Sequence, residues 1–162
     1  MQFYRDERFL IDTITAFIKI GLDLNETVLV ILTAQHRREL YTTLTDDELR
    51  NDKLRFFDAA DTLMLFMVED RPNESQFMHG METILRRAGD NGQTRVFGEL
   101  VALLYTEGKA AAALRLEELW NILVIRHRFP LLCAYPLSAL VELDLGNPTR
   151  VCQLHWHVQI QP

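Results

Sequence analysis

Four places in the sequence carry side chains suited to chemistry. The first is Tyr4-Arg5-Asp6-Glu7-Arg8, which leads into an apolar stripe and offers a phenol, guanidiniums and carboxylates. A phosphate-binding loop at such a strand-to-helix junction needs G-x-x-x-x-G-K-[S/T], whose backbone N–H groups and lysine cradle the phosphates. No glycine is present here to let the backbone close on a phosphate. Asp6 and Glu7 instead put negative charge near the positive end of the coming helix, which favours the helix and repels a nucleotide. The second is Glu99, directly after Gly98 at the end of an apolar run. Such an acid either anchors a ligand or is satisfied by Arg95 or by loop N–H groups, because buried carboxylates are paired. The third is His155-Trp156-His157 with Cys152 close by. Zinc takes four ligands and this stretch offers three, so a histidine capping helix-end carbonyls accounts for it and no metal is expected. The fourth is Cys133, in an apolar run, expected to be a small buried hydrophobe. With no G-x-S-x-G elbow, nothing in the chain assembles a nucleophile, so neither enzymatic activity nor a cofactor is expected.

These residues must be held by regular elements. Leu10, Ile14, Phe17, Ile18 and Gly21 recur at helical spacing, with Gly21 near a helix end. Thr27-Val28-Leu29-Val30-Ile31-Leu32 is an unbroken, largely β-branched run, the mark of a strand buried on both faces. Gln35 to Leu44 reads as a short helix, and Thr45-Asp46-Asp47-Glu48 has capping-box spacing. Leu54 to Asp58 reads as a strand, and Asp61 to Val68 as apolar with helical spacing, broken at Arg71-Pro72-Asn73. Asn73 then caps a helix with Phe77, Met81, Ile84, Leu85 and Ala88 inward. Gly89-Asp90-Asn91-Gly92 reads as a turn, Thr94 to Gly98 and Leu131 to Tyr135 as strands, and Lys109 to His127 as a helix. Asn147-Pro148 opens a last short helix. Met64, Met67, Met78 and Met81 fall on helical faces and are expected to pack in the core.

Buried strands alternating with amphipathic helices predict one α/β domain over residues 1–162: three layers, a mostly parallel sheet with helices on both faces. With 162 residues, 48% of them hydrophobic, the chain is long enough for a core of its own. The formal net charge of −6, with basic clusters confined to His36-Arg37-Arg38 and Arg126-His127-Arg128, argues against direct nucleic-acid binding. The longest apolar run, Phe129 to Val141, is shorter than a membrane span and carries Pro130 and Pro136. Two cysteines and no apolar leader fit a reducing cytoplasm.

Several blocks, in one order, resemble the MEDS domain, the sensory domain of methanogens, methylotrophs and the dichloromethane regulator DcmR. They are Gln2-Phe3-Tyr4, Asp58-Ala59-Ala60-Asp61-Thr62-Leu63, Phe97-Gly98-Glu99-Leu100-Val101-Ala102-Leu103-Leu104, Ala113 to Asn121, Leu132-Cys133-Ala134-Tyr135-Pro136, and Cys152 with His155. The chain departs from that pattern in placing Trp156-His157 after His155. The resemblance implies a RecA/KaiC-like fold that has lost its Walker A loop, with Glu99 near the place where such proteins hold a Mg²⁺-binding acid. It implies a bacterial or archaeal signalling role, alone or beside a kinase, an ATPase-like module or a transcription regulator.

Ligands in open parallel sheets bind beyond the carboxyl ends of the strands. The residues expected there are Tyr4, Arg5, His36, Asp58, Glu99 and Tyr135, with Thr33 and Asp61 nearby. The function expected is a non-catalytic sensory domain that binds a small molecule at this edge and relays it to a partner. The alternative is a docking module derived from a degenerate ATPase. Trp120, Leu123 and Val124, with Trp156 and Ile160, exceed what one helix face must bury and predict a homodimer or a docked neighbour.

Overall fold

The computed structural model describes residues 2–88, 93–137 and the backbone of 159–160. The Gly89–Gly92 turn, the Asn147-Pro148 helix, Cys152 and the His155-Trp156-His157 stretch lie outside the described residues.

Six strands form one sheet in the order β3-β2-β6-β7-β1-β8, and every neighbouring pair is parallel. They are β1 (Gln2–Tyr4), β2 (Thr27–Leu32), β3 (Leu54–Asp58), β6 (Thr94–Gly98), β7 (Leu131–Pro136) and the two-residue β8 (Gln159–Ile160). A separate antiparallel hairpin joins β4 (Met67–Val68) to β5 (Arg71–Pro72). Strand side chains alternate between faces, so β2 sends Leu29 and Ile31 into one core and Val28, Val30 and Leu32 into the other. A continuous hydrophobic run is thus what a doubly covered strand requires.

One face is covered by α1 (Glu7–Asp23), α2 (Ala34–Leu40) and α3 (Asp46–Leu49). The other carries α4 (Ala59–Met64), α5 (Glu74–Ala88), α6 (Leu100–Thr106) and α7 (Ala110–His127). This is the three-layer α/β arrangement the alternation predicts. Two caps fall where the sequence places them, Asn73 Oδ1 accepting from Gln76 N at 3.0 Å and Thr45 and Glu48 forming a reciprocal capping box, and Asp6 also caps α1, accepting from Arg8 N at 2.8 Å.

Three readings need correction. The helical stretch Asp61 to Val68 stops at Met64, because Met67 and Val68 pair with Pro72 and Arg71. Phe66 is buried edge-on against Phe77, and its carbonyl accepts from Asn73 N at 2.8 Å, which turns the chain out of the helix. Met64 in consequence is 73% exposed rather than part of the core. Leu100–Thr106, unassigned from sequence, is helix. Finally, Trp120 and Leu123 do not form a surface patch: both are fully buried, with Trp120 edge-on to Phe77 at 5.3 Å. The exposed large apolar residues of α7 are Ile122 and Ile125.

Candidate functional site

The carboxyl ends of β1, β2 and β6 meet at one edge of the sheet. Glu99 N donates to Ile31 O at 3.0 Å, continuing the ladder one residue past β6 before α6 begins. Glu99 precedes α6 but makes no side-chain cap there. Its carboxylate reaches across to the end of β2 instead, and only 3% of the residue is exposed. Oε2 accepts from the Thr33 backbone N–H at 2.9 Å, and Oε1 lies 2.6 Å from His36 Nδ1. Both were brought there by local rules: Thr33 is the N-cap of α2, its hydroxyl accepting from His36 N, which places His36 in the helix's first turn.

The electrostatics follow from burial and this pairing. The Glu99 hydrogen bond raises the His36 pKa against the opposing effect of burial, with Glu7 and Glu39 adding to the rise. Burial, then the charges of Glu99 and Glu7, push the Tyr4 phenol up, so it stays a hydrogen-bond donor at any physiological pH. Around the pair, Gln35 Nε2 donates to Glu7 Oε2 at 3.3 Å and to Glu39 Oε1 at 3.4 Å. The site therefore holds two proton-bearing groups, Tyr4 and His36, among carboxylates.

Of the six nominated residues, the structure gathers Tyr4, His36 and Glu99. Arg5 is exposed beside them. Asp58 instead caps α4, accepting from Ala60 N at 2.9 Å and Asp61 N at 3.2 Å. Tyr135 faces the opposite core, one register step from Tyr4, and donates its hydroxyl to the fully buried Glu117 of α7. Arg95 does not satisfy Glu99: it lies at the other end of β6 and pairs with Glu26. The P-loop position is closed by Asp6, which caps α1.

Glu117 was missed from sequence although a signal existed. It sits four residues after Ala113 and three before Trp120, inside the buried stripe of α7. Around it lie Tyr105, whose hydroxyl has no hydrogen-bond partner among the described residues, and Cys133, whose thiol is pushed well up by burial and by Glu117. A surface cavity of about 330 Å³ lies away from this edge, beside the last turn of α1, lined by Lys19, Leu22, Asp23, Asp47, Glu48 and Asn51. None of the nominated residues borders it. Among the described residues no three His, Cys, Asp or Glu side chains are grouped to hold a metal ion, and no helix is long and apolar enough to cross a membrane.

The family model described as MEDS, "MEthanogen/methylotroph, DcmR Sensory domain", matches residues 1–150. No curated protein and no solved structure gives a significant match.

Proposed function

The chain belongs to the MEDS family of sensory domains, and from that premise we propose that it receives a small ligand where Tyr4, His36 and Glu99 meet and relays its presence to a signalling partner. The observation that carries this reading is the convergence itself. Three polar residues come from β1, α2 and the end of β6 to one edge of the sheet, His36 hydrogen-bonded to Glu99 and Tyr4 close enough to feel the Glu99 charge. Crevices at the carboxyl ends of parallel strands are the usual ligand sites of open α/β sheets. Glu99 uses both oxygens on Thr33 and His36, so the groups left to meet a ligand are the Tyr4 hydroxyl, His36 Nε2 and Arg5. Tyr4 and Arg5 donate hydrogen bonds, as does His36 Nε2 while the imidazole is protonated, which suits a ligand with acceptor atoms.

The reading is a non-catalytic one, and the two helix N-termini at this edge argue against nucleotide chemistry. Asp6 caps the α1 N-terminus and Thr33 that of α2, and Asp6 and Glu7 add negative charge at the first of them, which disfavours a phosphate there. A single domain over residues 1–162, a relation to RecA/KaiC-like ATPases without their P-loop, and a cytoplasmic setting complete the proposal. Native mass spectrometry of freshly purified protein tests it. A co-purifying mass that disappears in Tyr4→Phe and His36→Gln is expected. A ligand retained by both variants, or one bound only elsewhere, counts against the site.

A second reading, docking, has its own observation. Met64, Leu65 and Val68 at the α4–β4 corner are all exposed, and exposed apolar groups that adjoin one another mark contact surfaces. Capture of a partner that is lost in Met64→Ser/Leu65→Ser, with no ligand required, would favour it.

A further inference from the structure

We propose that His36 and Glu99 form a proton-gated latch: the protonated imidazole holds the first turn of α2 against the end of β6, and loss of that proton releases it. The proposal concerns the same cluster as the ligand reading, and rests on that reading only for what the movement would signal.

Charge makes the case first. Glu99 is buried, and among the described residues His36 is its one ion-pair partner. The groups acting on His36 are Glu99 after β6, Glu7 on α1 and Glu39 on α2 itself, all carboxylates. Tyr4 on β1 also faces Glu99 and stays neutral. When the imidazole gives up its proton, a buried carboxylate is left without a counter-charge, a strongly disfavoured state. It is relieved either by a proton on Glu99 or by movement that lets water reach it.

The packing decides which side moves. The Glu99 side is continuous with α6, whose Leu100, Val101, Leu104 and Tyr105 are buried in the core. On the other side α2 has seven residues, of which only His36 and Leu40 are buried. A helix that short does not hold itself in water. Its first turn is secured by the Thr33 cap, by the Thr33 N–H bond to Glu99 and by the His36 pair. Two of those three attachments end on Glu99, so the state of this one acid governs the seating of α2.

The test uses the full chain without added ligand. His36 is titrated by NMR, assigned by its loss in His36→Gln, while amide exchange over residues 34–40 is followed from pH 5.5 to 9 and corrected for intrinsic rates. The expected result is an imidazole midpoint above the ordinary value of about 6.5 and at least a tenfold fall in α2 protection with that same midpoint. Protection of Leu116–Leu123 in α7 should stay constant. In His36→Gln, α2 protection should lose its pH dependence. Protection that ignores the His36 midpoint, or a midpoint at or below 6.5, overturns the latch; should His36→Gln not fold, through-bond assignment of the imidazole from its own backbone resonances in the wild type gives both readings. Failure here leaves the ligand reading untouched, since no ligand is present. Failure to find a co-purifying ligand likewise leaves the latch standing.

Discussion

Arg95 and Glu26 form a buried ion pair at the amino end of the sheet, and Gly21 is the residue that makes room for it. The Arg95 guanidinium also donates to Phe17 O at 3.1 Å and lies 4.9 Å over the Phe17 ring. A Cβ at position 21 would stand 2.5 Å from Val28 Cγ2 and 2.6 Å from Arg95 Cδ.

Gly21→Ala is therefore expected to destabilise the fold by roughly 1–3 kcal/mol, the ordinary cost of overpacking a tight core, despite alanine's higher helix propensity. Urea denaturation at neutral pH measures it. An unchanged or raised midpoint would show that Arg95 has somewhere else to go.

The two tyrosines near Glu117 should behave oppositely. Tyr135→Phe removes the phenol that donates to a fully buried carboxylate, and is expected to cost about 1–3 kcal/mol. Tyr105→Phe removes a buried hydroxyl that has no partner among the described residues, and is expected to be neutral or stabilising by about 1 kcal/mol. Melting curves of the two variants decide the order, and equal losses would contradict it.

Stability should depend on pH in a direction set by His36. Its pKa is raised in the folded state, so its contribution is fully present below the unfolded value of about 6.5 and is lost as pH rises through the folded value. Denaturant midpoints between pH 6 and 9 are expected to fall in the wild type and to fall less in His36→Gln. Identical slopes in the two proteins would remove His36 as the source.

The β4–β5 turn offers a relief mutation. Glu69 and Asp70 both adopt positive φ, 47° and 62°, a region that costs a non-glycine residue about 1–2 kcal/mol. Asp70 is also held by Lys109 at 2.9 Å, so the cleaner change is Glu69→Gly. A stabilisation of about 0.5–1 kcal/mol is expected by thermal or chemical denaturation, glycine's extra freedom in the unfolded chain offsetting part of the gain. A loss of stability would mean that the Glu69 side chain holds the hairpin.

How far the sequence reveals this molecule depends on the range of each interaction. The strand β2 and the helix α1 are legible because burial imposes a period on neighbouring residues. The caps Asp6, Thr45, Asp58 and Asn73 act within two or three residues, although Asp58 drew a ligand role because its type fits both. The helix α6 was hidden: Leu100 to Leu104 is apolar without interruption, so it carries no period to separate helix from strand. Glu99 and His36 could each be nominated as polar residues at strand ends. Their pairing across 63 positions depends on the register of β2 against β6, Thr27 opposite Thr94, which no local pattern states. Glu117 was overlooked for a different reason, since a glutamate beside Glu118 on an apolar helix reads as solvated until its place in the stripe is counted.

The sheet order has a consequence for how the chain is made. β1 pairs with β7 in the register Gln2 to Ala134, so its first partner is synthesised about 130 residues after it. At typical synthesis rates that delay is on the order of ten seconds. During it β2 and β3 can pair with each other, whereas Gln2-Phe3-Tyr4, all buried in the finished sheet, has no neighbouring strand. Closing so distant a contact is slow, and an unpaired apolar edge is a template for wrong pairing. The emergence of Leu131–Pro136 is therefore the event that commits the chain, and nascent chains halted before it should need chaperone protection that chains released after it do not.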